Sequence, residues 1–289
     1  MDAQDRREAR GHIAPEDEQH RLMQRDHPLE EAHKNPHTIL EQQLAQAEED
    51  IERPARALLL SSFSAGLDVG FGPFAMAVVL TLAAGDLSPA VTDLLVANAY
   101  TAGFIFVVMG RSVLFTEQTT SAVLPVFARR VTIAQLFRIW GLVLAGNLAG
   151  AALFAAIVAV LGPALGAAQP AALDEIARGL VEHPAWVILV SAVVAGWLMG
   201  LLVWLVTAAR DTVGQILIVW ITTFVIGIAG LHHSIAGSVE VLMAVFAGTG
   251  VTMADFGVFL GWSVLGNAIG GAGVVAALKY GHVKRDTSG

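Results

Sequence analysis

Residues 230–237 read Gly-Leu-His-His-Ser-Ile-Ala-Gly, and they interrupt an apolar run that extends over residues 213–247. A helix needs roughly 20 residues to cross a hydrocarbon core about 30 Å thick, so this run is too long for one crossing. A second overlong run, 94–127, is interrupted in the same way by Arg-Ser-Val-Leu-Phe-Thr-Glu-Gln-Thr-Thr at 111–120. Each interruption is followed at nearly the same distance by a similar motif. Gly146-Asn147-Leu148-Ala149-Gly150 follows the interruption at 111–120 and Gly266-Asn267-Ala268-Ile269-Gly270 the one at 230–237, with 32 residues from Phe115 to Asn147 and 34 from His233 to Asn267.

Four further apolar runs, 55–84, 136–161, 185–209 and 256–280, bring the predicted number of spans to six. The expected fold class is an all-α membrane protein. Its six transmembrane helices form two three-helix repeats, and because three is odd the repeats insert with opposite orientation. Helices two and five are broken. Inverted repeats with discontinuous helices are typical of transport folds, with the site at the breaks.

Composition agrees. The chain is 55% hydrophobic and only 15% charged, against about 25% charged in soluble domains, so most of it is too apolar for water. Residues 1–54 carry 14 acidic and 7 basic side chains of the chain's 25 and 17, which puts most of the net charge of −8 in one polar end. No basic stripe for nucleic acid is present, and the absence of cysteine excludes thiolate chemistry and disulfides. No HExxH, phosphate-binding loop or GxSxG motif marks an enzyme, and no metal or other cofactor is expected. The polar N-terminus lacks the apolar core of a cleavable signal. Arg53 and Arg56, then Arg129, Arg130 and Arg138, then Arg210, then Lys279, Lys284 and Arg285 alternate with loops dominated by Asp and Glu. By the positive-inside rule both termini are expected in the cytoplasm.

Residues 1–37 are expected to be a disordered cytoplasmic tail, because their composition cannot build a core. Residues 38–54 are expected to form an amphipathic cytoplasmic helix that opens with a Thr38/Glu41 capping box and repeats Leu40, Leu44, Ala47 and Ile51 on one face. A channel domain over 55–282 and a short tail over 283–289 complete the expected division.

Backbone broken at membrane depth survives only against protein or a water-filled cavity. Each break is expected to start a half-helix near the midplane, N-capped by Thr116 or Thr119 in one case and by Ser234 in the other. Two such N-termini converging from opposite sides favour an anion. His232 and His233 lie at the second break, where an imidazole can exchange a proton with a weak acid or simply brace the broken backbone. Arg111 and Glu117 flank the first break and are expected to neutralise each other. Asp68 is expected to pair with Arg111 or a histidine, or to lie nearer the outer surface. Glu240, in the outer half of span five, carries the same alternatives. Asn147 and Asn267 are expected to bond carbonyls freed at the breaks.

Leu114-Phe115-Thr116, Gly146-Asn147, His233-Ser234-Ile235-Ala236 and Gly266-Asn267-Ala268-Ile269-Gly270-Gly271 stand in an order and at spacings that resemble the formate/nitrite transporter family, over roughly residues 50–282. The resemblance implies an aquaporin-like protomer with its own pore, a homopentamer, and a bacterial inner membrane in contact with lipid. It implies passage of a small monovalent anion or its weak acid, in the formate, nitrite or hydrosulfide class. It places Thr116 opposite His233 as pore and proton-relay residues, and Tyr100, Phe104, Leu114, Phe115 and Ile226 at apolar constrictions. The chain departs from the family's pattern in four places. No lysine precedes the fourth span, where Val181-Glu182-His183-Pro184 stands; Glu117 follows Thr116; Gly200 stands where the formate channel has asparagine; and His232 precedes His233. The missing lysine and added Glu117 favour a neutral-solute pore of aquaporin type as an alternative. A non-conducting scaffold or sensor acting through its soluble tail is another.

Overall fold

The computed structural model describes residues 34–286, and all the regular elements among them are helical. The expected disordered tail thus lies almost wholly outside the described residues. The first helix, α1 (Pro36–Glu52), begins earlier than the expected Thr38/Glu41 box. Asn35 is the N-cap, its side chain accepting from His37 N at 3.0 Å, and Pro36 occupies the first turn, where its missing N–H costs nothing. Asn35-Pro36 therefore overrides Thr38, which falls inside the helix. Leu40, Leu44, Ala47 and Ile51 are all buried along one face.

α1 is held against the rest of the chain by polar contacts. Arg138 Nη1 donates to Ile51 O at 3.1 Å, Arg130 pairs with Glu41 and Glu48, and Lys34 Nζ donates to Thr207 O. Gln118 Nε2 donates to Asp50 Oδ2 at 3.0 Å. Burial holds the Asp50 carboxyl above the usual carboxylate range, only partly offset by its hydrogen bonds from Gln118 and Arg53.

Beyond α1 come α2 (Ala55–Val69), α3 (Phe71–Ala83), α4 (Pro89–Gly110), α5 (Phe115–Ser121), α6 (Leu124–Phe127) and α7 (Ile133–Ala164). They are followed by α8 (Pro170–Val181), α9 (Ala185–Ala208), α10 (Thr212–Ile228), α11 (Ser234–Ala247), α12 (Met253–Ala268), a π-helical segment (Ile269–Ala276) and α13 (Ala277–Asp286). Five helical stretches among the described residues are long and apolar enough to cross a membrane: Ala55–Ala83, Pro89–Gly110, Ile133–Ala164, Ala185–Ala208 and Met253–Lys284. The first bends at Gly70, where the ring of Phe154 fills the space a Cβ would need and Pro73 withholds an N–H from the turn behind it. The run expected as one fifth span is split into α10, of 17 residues, and α11, of 14. α8 was not anticipated. It is amphipathic, with Leu173, Ile176, Ala177 and Leu180 buried at helical spacing in a stretch that charge patterning reads as a loop.

Two long-helix pairs set the frame. α2 packs on α7, and α9 on α12 with the π-helical segment that continues it. Both contacts rest on small residues that let backbones meet. A Cβ on Gly150 would collide with the carbonyl of Phe63, and one on Gly270 with the carbonyl of Val193. Leu60, Leu82, Val160, Trp186, Val213 and Leu278 stand exposed around the outside, as a lipid-facing or subunit-facing surface requires.

Candidate functional site

α4 ends at Gly110, and Arg111 closes it in the left-handed region at φ 59°. Residues 112–114 are extended, and a new helix, α5, starts at Phe115. Leu114 holds the N-cap position and has no group to cap with. The cap is instead supplied across the fold by Asn147 of α7. Its Oδ1 accepts from Phe115 N at 2.8 Å, and its Nδ2 donates to Val113 O at 2.9 Å and to Ser62 O at 2.7 Å. The second break repeats this. Asn267 Oδ1 accepts from Ser234 N at 2.8 Å, and its Nδ2 donates to His232 O at 3.0 Å and Ala192 O at 2.8 Å. The expected caps are corrected accordingly. Thr116 and Thr119 lie inside α5, where Thr119 Oγ1 donates to Thr116 O. Ser234 is the first residue of α11 rather than its cap, because a buried Asn reaches its N–H first.

His233 occupies the N-cap position of α11, and its Nδ1 accepts from Ile235 N at 3.3 Å and Ala236 N at 3.2 Å. These contacts settle the tautomer. Nδ1 keeps its lone pair for the backbone, so in the neutral ring Nε2 carries the hydrogen. Nε2 lies 2.8 Å from Thr116 Oγ1 and donates to it. The Thr116 hydroxyl hydrogen is then left to donate elsewhere. His232 turns the other way: its Nε2 donates to Leu180 O at 3.0 Å, and its Nδ1 lies 2.9 Å from Ser191 Oγ. It ties the break to α8 and α9.

Apolar side chains enclose the Thr116–His233 pair. Phe104 stacks edge-on to His233 with centroids 4.9 Å apart and touches the Tyr100 ring at 5.0 Å. Phe104, Leu114 and Ile226 are 0% exposed. Phe115 is also buried, but its ring packs on Trp140 of α7, 6.0 Å away. A cavity of about 540 Å³ lies on the α1 side, lined by Asp50, Arg53, Arg111, Val113 and Glu117 among others. A second, of about 190 Å³, is lined by Tyr100, Ile226, Glu175 and Glu240 among others. Phe104, Leu114, Thr116 and His233 line neither of the two.

Around the first break the expected opposite charges attract across a cavity rather than in direct contact. Arg111 and Glu117 share the larger cavity but form no ion pair with each other. The left-handed turn at Arg111 leaves that residue exposed, and Glu117 sits in the first turn of the next helix. Asp68 pairs with no cation among the described residues; its Oδ2 accepts from Ser64 Oγ at 3.1 Å and from Ser112 Oγ at 3.0 Å. Residue reading alone missed Ser191, Ser62 and the Asp50–Gln118 contact. These join elements far apart in the chain, and only Asp50, an acid at the edge of an otherwise apolar helix face, left a trace in the sequence.

Residues 37–281 match the family model described as formate/nitrite transporter. The chain is 32% identical to the inner membrane protein YfdC of Escherichia coli (strain K12), over 83% of this chain and 76% of that protein. It superposes on a solved "FNT family ion channel" with a TM-score of 0.76 at 25% identity, covering 85% of this chain and 98% of that one. It also superposes on a "Pentameric formate channel with formate bound" with a TM-score of 0.66 at 26% identity, covering 80% and 98%. The chain belongs to the formate/nitrite transporter family of membrane transport proteins.

Proposed function

We propose that the protein is a transmembrane channel or proton-linked transporter for a small monovalent anion or its conjugate weak acid, of the formate, nitrite or hydrosulfide class. In this reading six spans form two inverted three-helix repeats around an aquaporin-like pore. Five copies assemble in a bacterial inner membrane with both termini in the cytoplasm, and the chain divides into an N-terminal tail, the cytoplasmic helix α1, a channel domain and a short C-terminal tail. The observation that carries the reading is the 2.8 Å contact between Thr116 Oγ1 and His233 Nε2, held where two capped half-helices meet behind an apolar seal.

A bare anion crossing Phe104, Leu114 and Ile226 loses its water with nothing to replace it, which is costly. The half-helix N-termini lower that cost at the midplane. The Thr116 hydroxyl orients the solute, and His233 Nε2–H supplies the proton or hydrogen bond that lets it leave as a neutral acid. Because Nδ1 is engaged by two backbone N–H groups, proton traffic on His233 runs through Nε2. The pentameric formate channel among the structural relatives and the inner-membrane relative support assembly and location.

Glu117 beside Thr116 favours a second reading, a pore for neutral solutes, because a carboxylate at the entrance opposes anions. Stopped-flow uptake into proteoliposomes separates the two. The first reading expects formate, nitrite or hydrosulfide flux that rises from pH 7.5 to pH 5 and falls by roughly 100-fold in His233→Ala. Glycerol flux indifferent to both changes would establish the neutral pore instead.

A further inference from the structure

Glu240 sits in the middle of α11, 5% exposed, and faces the 190 Å³ cavity together with Tyr100 and Ile226. Its carboxyl group makes no hydrogen bond or ion pair with any described residue. Stability does not explain it. A carboxyl group opening only to a small cavity is poorly hydrated, and a Leu or Met of similar size would pack there without that cost. Ionisable side chains at membrane depth mark solute and proton pathways by default.

The surroundings narrow the role. The other charged groups lining the cavity are Asp93 of α4 and Glu175 of α8, both exposed at its mouth, and Tyr100 adds a phenol. Arg178 of α8 is held by Asp174 at 2.7 Å and Glu182 at 2.8 Å. The cavity wall thus bears acids and no base among the described residues. From Tyr100, an aromatic pair leads directly through Phe104 to His233.

We propose that Glu240 is the proton-exchange residue of this vestibule, giving a weak-acid solute its proton, or taking it back, at the Tyr100 end of the apolar seal. The step balances without an outside reagent. The O–H bond of the Glu240 carboxyl breaks as an O–H bond forms on the solute anion, and Glu240 regains its proton from cavity water. For solute moving the other way the sequence reverses. The inference rests on the weak-acid reading above and adds a second proton-handling group on the far side of His233 from α1.

The test is uptake of formate by proteoliposomes of the full chain at pH 5 and pH 7.5, for wild type, Glu240→Gln, Glu240→Asp and His233→Ala. At pH 7.5 almost all the solute arrives as anion, and Glu240→Gln is expected to lose about tenfold in initial rate. At pH 5 much more arrives already protonated, and the loss is expected to be less than about twofold. Glu240→Asp restores part of the rate at pH 7.5. A Glu240→Gln rate equal to wild type at both pH values overturns the proposal, as does an equal loss at both. If Glu240→Gln does not assemble, Glu240→Met, which suits the apolar surroundings, is read by the same criteria. Wild type that passes no weak acid at either pH overturns the underlying reading and this one with it, whereas a normal wild type with an inactive His233→Ala isolates failure at Glu240.

Discussion

The two helix breaks use the same backbone device and different chemistry. At each, an asparagine from a following long helix accepts from the first N–H of the short helix and donates to two carbonyls, one of them in the segment that precedes that short helix. Phe115 and Ser234 are therefore equivalent positions, and so are the residues before them, Leu114 and His233. There the equivalence ends. Leu114 offers no polar atom, while His233 caps its own helix through Nδ1 and presents Nε2 to Thr116. Thr116 in turn corresponds to Ile235. The backbone problem posed by a break at membrane depth has one solution here, used twice. The chemistry comes from replacing a pair of side chains on that shared frame.

If the two asparagines are the same device, removing either should cost the same. Asn147→Ala and Asn267→Ala each orphan one buried N–H and two carbonyls, and each is expected to destabilise the protein by about 3–5 kcal/mol. Thermal unfolding in detergent checks this, and a large drop for one with a negligible drop for the other would break the equivalence. Making the second break resemble the first is the next largest change. His233→Leu is expected to retain the fold but lose about 100-fold in weak-acid uptake, and normal flux through it would remove His233 from the pathway.

Thr116→Val keeps the shape but removes the hydroxyl that accepts from Nε2, and uptake is expected to fall about tenfold, the equivalent of one neutral hydrogen bond. Thr116→Ser should stay close to wild type, and if it falls as far as the valine variant, packing rather than hydrogen bonding explains the loss.

The smallest effect concerns the contact that only the first half-helix makes with α1. Asp50 has its affinity for protons raised by burial in the docked state, so the docked state binds more protons than the undocked one. Docking is thus strongest below the ordinary carboxylate range and weakens as pH rises through the raised value. Relative to Asp50→Asn, which does not titrate, wild type should lose docking as pH rises from below the ordinary carboxylate range towards neutral. Protease sensitivity of α1 across that range measures it, and parallel profiles would exclude Asp50 as the cause.

Hydropathy and the paired Gly-Asn motifs were enough to read an apolar helical membrane chain, to locate both interruptions, and to single out Asn147, Asn267, Thr116 and His233. These features are legible because the lipid imposes length and polarity on each span separately, and because a buried Asn or His in an apolar run has few other reasons to be there. The partners were not legible. Capping by Thr116, Thr119 and Ser234 was the local expectation, yet asparagines 32 and 33 residues away take the first N–H of each half-helix, and His233 takes the next two of the second. Arg111 and Glu117 are close in sequence, yet the turn at Arg111 keeps them from direct contact, and Asp68 is served by two serines instead of a cation. The stretch 170–181 reads as a loop by its charges, yet packs Leu173 and Leu180 into the fold as a helix.

Sequence alone therefore determined which segments enter the membrane and which polar residues go with them, since transfer free energy is a property of each segment. The tertiary structure alone decided which polar groups meet, which tautomer His233 holds and which carboxyl is left without a partner. Those depend on distances between helices that no single span encodes.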